Sequence, residues 1–209
     1  MKNKDINIDI AVEPQPDIER HPLKPFLPAG ARILMLGSFP PPRVRWSMDF
    51  YYPNFQNDMW RILGLLFFGD KLHFVDGQHR RFDCERVVRF CSERGIAIFD
   101  TATAVRRLKA NASDKFLEVV EPTDVGALLR RIPECRAVVV TGEKAAETVL
   151  LSLADASHSV PRIGCCENFE FEGRQMQLWR MPSSSRAYPL AVEKKAEVYG
   201  RMFAAVGML

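Results

Sequence analysis

Apolar residues recur along this chain in two alternating rhythms. Short, nearly continuous runs stand at Ile33-Leu-Met-Leu36, Ile96-Ala-Ile-Phe99 and Ala137-Val-Val-Val140. Runs this short, bounded by glycine or polar residues, predict strands buried on both faces. Between them the spacing becomes helical. Met59, Trp60, Leu63, Leu66 and Phe67 predict a helix starting near Asn57, with that asparagine as its cap. Residues 84–94 predict a second amphipathic helix stopped by Gly95, residues 123–131 a third, and residues from Gly142 to about 154 a fourth. Residues 168–181 alternate on either side of Gly173, as a hairpin or a long bent strand would. Residues 190–206 close the chain as a helix.

Strands alternating with helices predict an α/β fold, a three-layer α/β/α sandwich with a short central parallel sheet. Residues 1–29 hold Pro14, Pro16, Pro22, Pro25 and Pro28 with mixed charge and little periodicity, so they are expected to form a proline-rich arm before a domain at 30–209. A parallel sheet binds ligands beyond the carboxyl ends of its strands. Segments 37–57, 99–114, 141–145 and 181–188 follow strands, and a site is expected there.

Composition narrows the class. With 209 residues, 47% hydrophobic and 26% charged, the chain can bury a core without disulfides or a structural metal. The longest apolar run, Ile62 to Phe68, is too short to span a bilayer, and the first residues lack the apolar stretch of a secretory signal. Five cysteines, an odd number without paired spacing, suit reduced thiols and a cytoplasmic location. The net charge of +3 is too mild to announce a nucleic-acid binder. Its distribution says more, because Arg43, Arg45, Arg106, Arg107, Lys109 and Arg186 stand in or beside the predicted loops.

Several chemistries are excluded. There is no G-x-G-x-x-G and no phosphate-binding G-x-x-x-x-G-K-[ST]. His21, His73, His79 and His158 lack metal-ligand spacing, and the cysteines lack that of an iron–sulfur site. No metal and no cofactor are expected. Ser183-Ser-Ser185 has no nucleophile-elbow context.

Taken together, the four segments resemble the uracil-DNA glycosylase superfamily, and within it the branch acting on deoxyinosine. The first motif of the superfamily, Gly-x-(Asp or Asn)-Pro, corresponds to Gly37-Ser38-Phe39-Pro40. The Tyr-Tyr-x-x-Pro-x-Asn-x-Phe-Trp stretch of the deoxyinosine branch is similar to Tyr51-Tyr-Pro-Asn-Phe-Gln-Asn57-Asp-Met-Trp60. The base-reading strand and its loop resemble Ile98-Phe99-Asp100 through Arg106 and on to Asn111-Ala-Ser-Asp114. Val138-Val-Val-Thr141-Gly142 stands for the third strand and turn, and Met181-Pro-Ser-Ser-Ser185-Arg-Ala-Tyr188 for the final motif.

The resemblance implies a monofunctional DNA glycosylase of base-excision repair, a monomer acting on double- or single-stranded DNA that carries hypoxanthine or uracil. No lysine matches a motif position where a Schiff base would form. The residues suit this chemistry. A base must leave the helix before its glycosidic bond is cut, so the enzyme needs an aromatic platform, polar groups for the base edge, and contacts to the strand. Phe39 and Tyr51 would wall the base, while Phe50 and Tyr52 are divided between pocket and core. Asp100 would read the base edge, or else cap a loop. Asn57 would orient a water against C1′, cap its helix, or do both. Ser38, Arg106, Ser183, Ser184, Ser185, Arg186 and Tyr188 would meet the strand, with Arg186 or Tyr188 as a wedge; Arg106 and Arg107 could equally be solvated surface.

Two positions depart from the superfamily. Phe39 stands where Asp or Asn often activates water, and Met181 where His often donates to the leaving base. Loss of one such donor costs about 2.7–4 kcal/mol in the barrier. That leaves a second reading open, a catalytically silent module that keeps the fold and the DNA surface.

Overall fold

A computed structural model describes residues 16–109, 116–152 and 160–209. Its centre is a five-stranded sheet of β2 (Ile33–Gly37), β5 (Ile96–Asp100), β8 (Ala137–Thr141), β9 (Cys165–Phe171) and β10 (Arg174–Met181), in the order β5-β2-β8-β10-β9. The first four strands in that order run parallel, and β9 returns antiparallel at the edge. All five residues of β2, β5 and β8 are buried, as strands covered by helices on both faces must be. This is the expected three-layer fold.

The helices follow the apolar spacing. α1 (Met59–Phe68) starts two residues after Asn57, whose Oδ1 accepts from the Met59 N–H at 2.9 Å. α2 (Cys84–Arg94) is bounded by the Asp83 side chain, which accepts from the Arg86 N–H, and by Gly95 in the left-handed region. α3 (Val125–Arg131) is capped by Asp124, α4 covers Glu143–Ser152, and α5 covers Val192–Ala205. Edge-on rings of Phe67, Phe90 and Phe203 join α1, α2 and α5.

The direction of the crossovers fixes the site. From β2 the chain passes to β5 on one side, and from β5 it reverses past β2 to β8 and then to β10. Right-handed connections therefore put α1 and α2 on one face and α3 and α4 on the other. The chain leaves the adjacent strands β2 and β8 toward opposite faces, so a crevice opens beyond their carboxyl ends.

One expectation is corrected. Residues 102–107, expected in a loop after β5, form strand β6 (Ala102–Arg107), paired with β1 (Ile18–Arg20) and β7 (Leu117–Pro122) in a separate antiparallel sheet. A small hydrophobic cluster of Phe39, Ala102, Val105 and Leu117 holds this sheet beside the crevice. Of residues 1–29, Ile18–Arg20 pairs with β6 and Phe26 forms a bridge to Ile98. A hairpin of β3 (Val75–Asp76) and β4 (Arg81–Phe82) precedes α2. Among the described residues no helix is long and apolar enough to cross a membrane.

Candidate active site

Gly37 and Asp100 are ladder partners at the carboxyl ends of β2 and β5, and Thr141 ends β8. Beyond them lies a cleft of roughly 670 Å³, lined by Ser38, Phe39, Tyr51, Tyr52, Asn57, Asp100, Thr141, the Ser183–Tyr188 segment and Arg45. Each of the four strand-end segments singled out from sequence contributes to one concavity, the second through Asp100 and the third through Thr141. Asn111–Asp114 lies outside the described residues.

The floor is aromatic and carries one carboxylate. Asp100 is 6% exposed. Its Oδ2 meets His21 Nε2 at 2.9 Å, and the His21 ring packs against Phe39 and Phe99 at centroid distances of 5.3 and 4.7 Å. Asp100 Oδ1 occupies the space a Cβ on Gly37 would need. Tyr51 is buried, with its hydroxyl donating to the Lys24 carbonyl at 2.8 Å. Tyr52 holds φ at 49°, a left-handed backbone that is costly for a tyrosine, with its hydroxyl 3.1 Å from Thr141 Oγ1. Burial pushes both phenols well above the ordinary tyrosine range, and the Asp100 charge adds to the rise.

The mouth is polar. Asn57 forms an isolated antiparallel bridge with Ser185, and its carbonyl accepts from Arg61 Nη1 at 3.0 Å. Asn57 thus binds the first turn of α1 through its side chain and also lines the cleft. Asp58, the next residue, ties three segments together. Its N–H donates to the Ser184 carbonyl at 2.8 Å, Oδ1 accepts from Arg186 Nε at 3.0 Å, and Oδ2 accepts from Lys195 Nζ at 3.1 Å. Lys195 Nζ also donates to the Ser185 carbonyl at 2.8 Å. The serine loop is therefore pinned to the start of α1 and to α5.

The expected strand-contacting residues divide. Ser38, Ser183, Ser185, Arg186 and Tyr188 line the cleft, and half of the Arg186 side chain is exposed. Ser184 is 3% exposed and serves mainly through its carbonyl. Arg106 stands on β6, 3.3 Å from Glu118, away from the residues that line the cleft. Arg107 is not solvated surface: it is buried, binds Glu19 through Nε and Nη2 at 3.0 and 3.1 Å, and donates to the Pro40 carbonyl. Met181 is fully buried in the core, and Phe39 presents only an apolar face.

Sequence reasoning missed His21 and Lys195. His21 is a lone histidine in a proline-rich stretch, 79 positions from its partner, and no local pattern marks it. Lys195 does carry a signal. It falls in the buried stripe of Ala196, Tyr199, Met202 and Phe203, where helical spacing calls for an apolar residue and a lysine must find a partner. Among the described residues no group of His, Cys, Asp and Glu could hold a metal ion.

No family model matches this chain, and no curated protein matches it in sequence. Its fold matches the solution NMR structure of a protein from Methanosarcina acetivorans described as a "putative Uracil DNA glycosylase". That match has a TM-score of 0.58 at 23% identity, over 90% of this chain and 99% of the other. At that identity the likeness is one of fold: this chain shares the α/β architecture of that protein.

Proposed function

We propose that this protein is a monofunctional DNA glycosylase that hydrolyses the N-glycosidic bond of a deaminated base, hypoxanthine or uracil, in base-excision repair. The observation that carries this reading is the cleft at the crevice between β2 and β8, with a carboxylate at its aromatic floor and amide, hydroxyl and guanidinium groups at its mouth. A flat base fits the deep apolar walls, where stacking contributes about 1–3 kcal/mol per base. The sugar and phosphates then stay at the mouth, beside Ser38, Ser183, Ser185, Arg186 and Tyr188.

Asp100 accepts a hydrogen bond from the base edge. Asn57 orients a water toward C1′ as the bond breaks and the sugar becomes oxocarbenium-like. Its Oδ1 already accepts the Met59 N–H, which fixes the amide plane, and the remaining lone pair and the NH₂ are what hold the water. A purine leaves most easily once its ring is protonated, which suits hypoxanthine in a cleft without a histidine donor at position 181.

Base release from duplexes carrying hypoxanthine or uracil, revealed by alkaline cleavage of the abasic product, tests this reading. Release is expected from the wild type and is lost in Asn57→Ala and Asp100→Ala variants that remain folded. The buried Met181 and the apolar Phe39 favour the second reading, a silent DNA-binding module. Salt-dependent DNA binding without base release at high protein concentration would select it.

A further inference from the structure

Asp100 does not stand alone on the cleft floor, and its partner comes from outside the strand-end segments. His21 follows β1, the short strand laid against β6, and its side chain is only 3% exposed. Both ring nitrogens are engaged. Nδ1 lies 3.1 Å from the Leu23 N–H and 2.9 Å from the Leu23 carbonyl, and Nε2 lies 2.9 Å from Asp100 Oδ2. When Nδ1 accepts from the Leu23 N–H, the ring proton is on Nε2 and is donated to Asp100. When the ring is doubly protonated, Nδ1–H donates to the Leu23 carbonyl and Nε2–H still donates to Asp100. With Nε2–H as the donor, as in both arrangements, Asp100 accepts through Oδ2 and that oxygen is fixed.

We infer that His21 is a positioning residue that keeps Asp100 an acceptor-only reader, so that the cleft selects bases bearing a ring N–H over the amino bases from which they derive. This rests on the glycosylase reading above. Deamination changes a base edge in a way such a group can sense. Adenine presents a bare N1 and cytosine a bare N3, each a lone pair facing the carboxylate; hypoxanthine and uracil present N1–H and N3–H there. A fixed carboxylate bonds the second pair and repels the first. Discrimination by a hydrogen-bonding site that would leave a buried polar group unpaired is steep. Guanine and thymine carry the same ring N–H, so their exclusion lies with other parts of the site.

His21 is not among the residues lining the cleft and both its ring nitrogens are engaged, so its removal acts through Asp100. The test is equilibrium competition binding with single-stranded oligonucleotides that differ at one nucleotide: hypoxanthine against adenine, and uracil against cytosine. The test nucleotide carries a 2′-fluorine, which withdraws electrons from the sugar and blocks cleavage during the measurement. Base release from unmodified oligonucleotides runs alongside. His21→Phe keeps the aromatic packing and removes the donor; His21→Gln returns an N–H near the Nε2 position; His21→Met serves where phenylalanine is not accommodated.

The wild type is expected to prefer hypoxanthine and uracil. His21→Phe loses at least tenfold of that preference, and His21→Gln restores most of it. A histidine needed only for folding would weaken both members of each pair together and leave the ratio unchanged; that result, or a wild type without preference, overturns the inference. Base release by the wild type with an unchanged ratio in His21→Phe discards the role of His21 and keeps the glycosylase. A preference lost in His21→Phe, without base release by the wild type, discards the glycosylase and keeps the role of His21.

Discussion

Lys195 Nζ lies 3.1 Å from Asp58 Oδ2, with the lysine side chain wholly buried and the aspartate 8% exposed. The pair joins α5 to the start of α1, and both partners also bind the serine loop. A buried pair contributes little net stability against well-packed apolar residues, but removing one partner strands a charge and costs about 3–5 kcal/mol. Asp58 keeps Arg186 as a second partner, so the cost of Lys195→Met is expected near the lower end of that range. Urea denaturation measures it. Arg186→Ala, whose half-exposed guanidinium is screened by water, is expected to cost far less.

The backbone of Gly37 has a consequence for Asp100. A methyl group at this position would collide with Asp100 Oδ1, while φ at Gly37 places no demand for glycine. Gly37→Ala is therefore expected to fold, to displace the carboxylate from His21 Nε2, and to abolish base release. Retained activity with an intact melting temperature would show that the cleft floor tolerates a rotated Asp100.

Much of this arrangement was legible in the sequence because local chemistry specified it. α2 spans residues 84–94 and stops at Gly95 as expected, and the apolar runs at 33, 96 and 137 became three neighbouring parallel strands. The resemblance motifs brought Gly37, Asp100, Thr141 and Ser183 to one cleft. What stayed hidden is long-range. The β1-β6-β7 sheet is built from an alanine-rich segment without clear alternation, and its pairing joins residues as distant as Ile18 and Arg106. Strand character there comes from the partner, not from propensity. His21 was invisible for the same reason, since that pairing is what delivers it to Asp100.

Arginines near the cleft divide by what they already hold. Arg45 lines the cleft mouth, whereas on β6 Arg106 is engaged with Glu118 and Arg107 with Glu19. Arg45→Ala is expected to weaken binding to any duplex uniformly and to reduce the slope of log affinity against log salt by about 1, the mark of one lost phosphate contact. Arg106→Ala is expected to leave that slope unchanged. Fluorescence anisotropy across a salt series separates the two. An equal loss in both would extend the DNA surface onto the small sheet.

Alkaline pH probes the buried phenols. Tyr51, Tyr52 and Tyr199 are all held above the ordinary tyrosine range, chiefly by burial. In the unfolded chain these groups ionise near pH ~10, so above that pH the folded state binds more protons than the unfolded one. Stability then falls as pH rises, by about 1.4 kcal/mol per pH unit for each such tyrosine, until the folded-state values are reached. Below pH ~10 all three are neutral in both states and contribute no slope. Buried thiols add to the same trend from lower pH, because burial raises Cys91, and pushes Cys135 up to about 11, against ~8.5 in the unfolded chain. Urea midpoints between pH 8 and 11 should therefore decline with steepening slope. In Tyr199→Phe, which also loses the hydrogen bond to the Pro182 carbonyl, stability at neutral pH is expected to drop by about 1 kcal/mol. The slope above pH ~10 should shrink by one tyrosine's share. An undiminished slope in that variant would mean that Tyr199 ionises alike in both states.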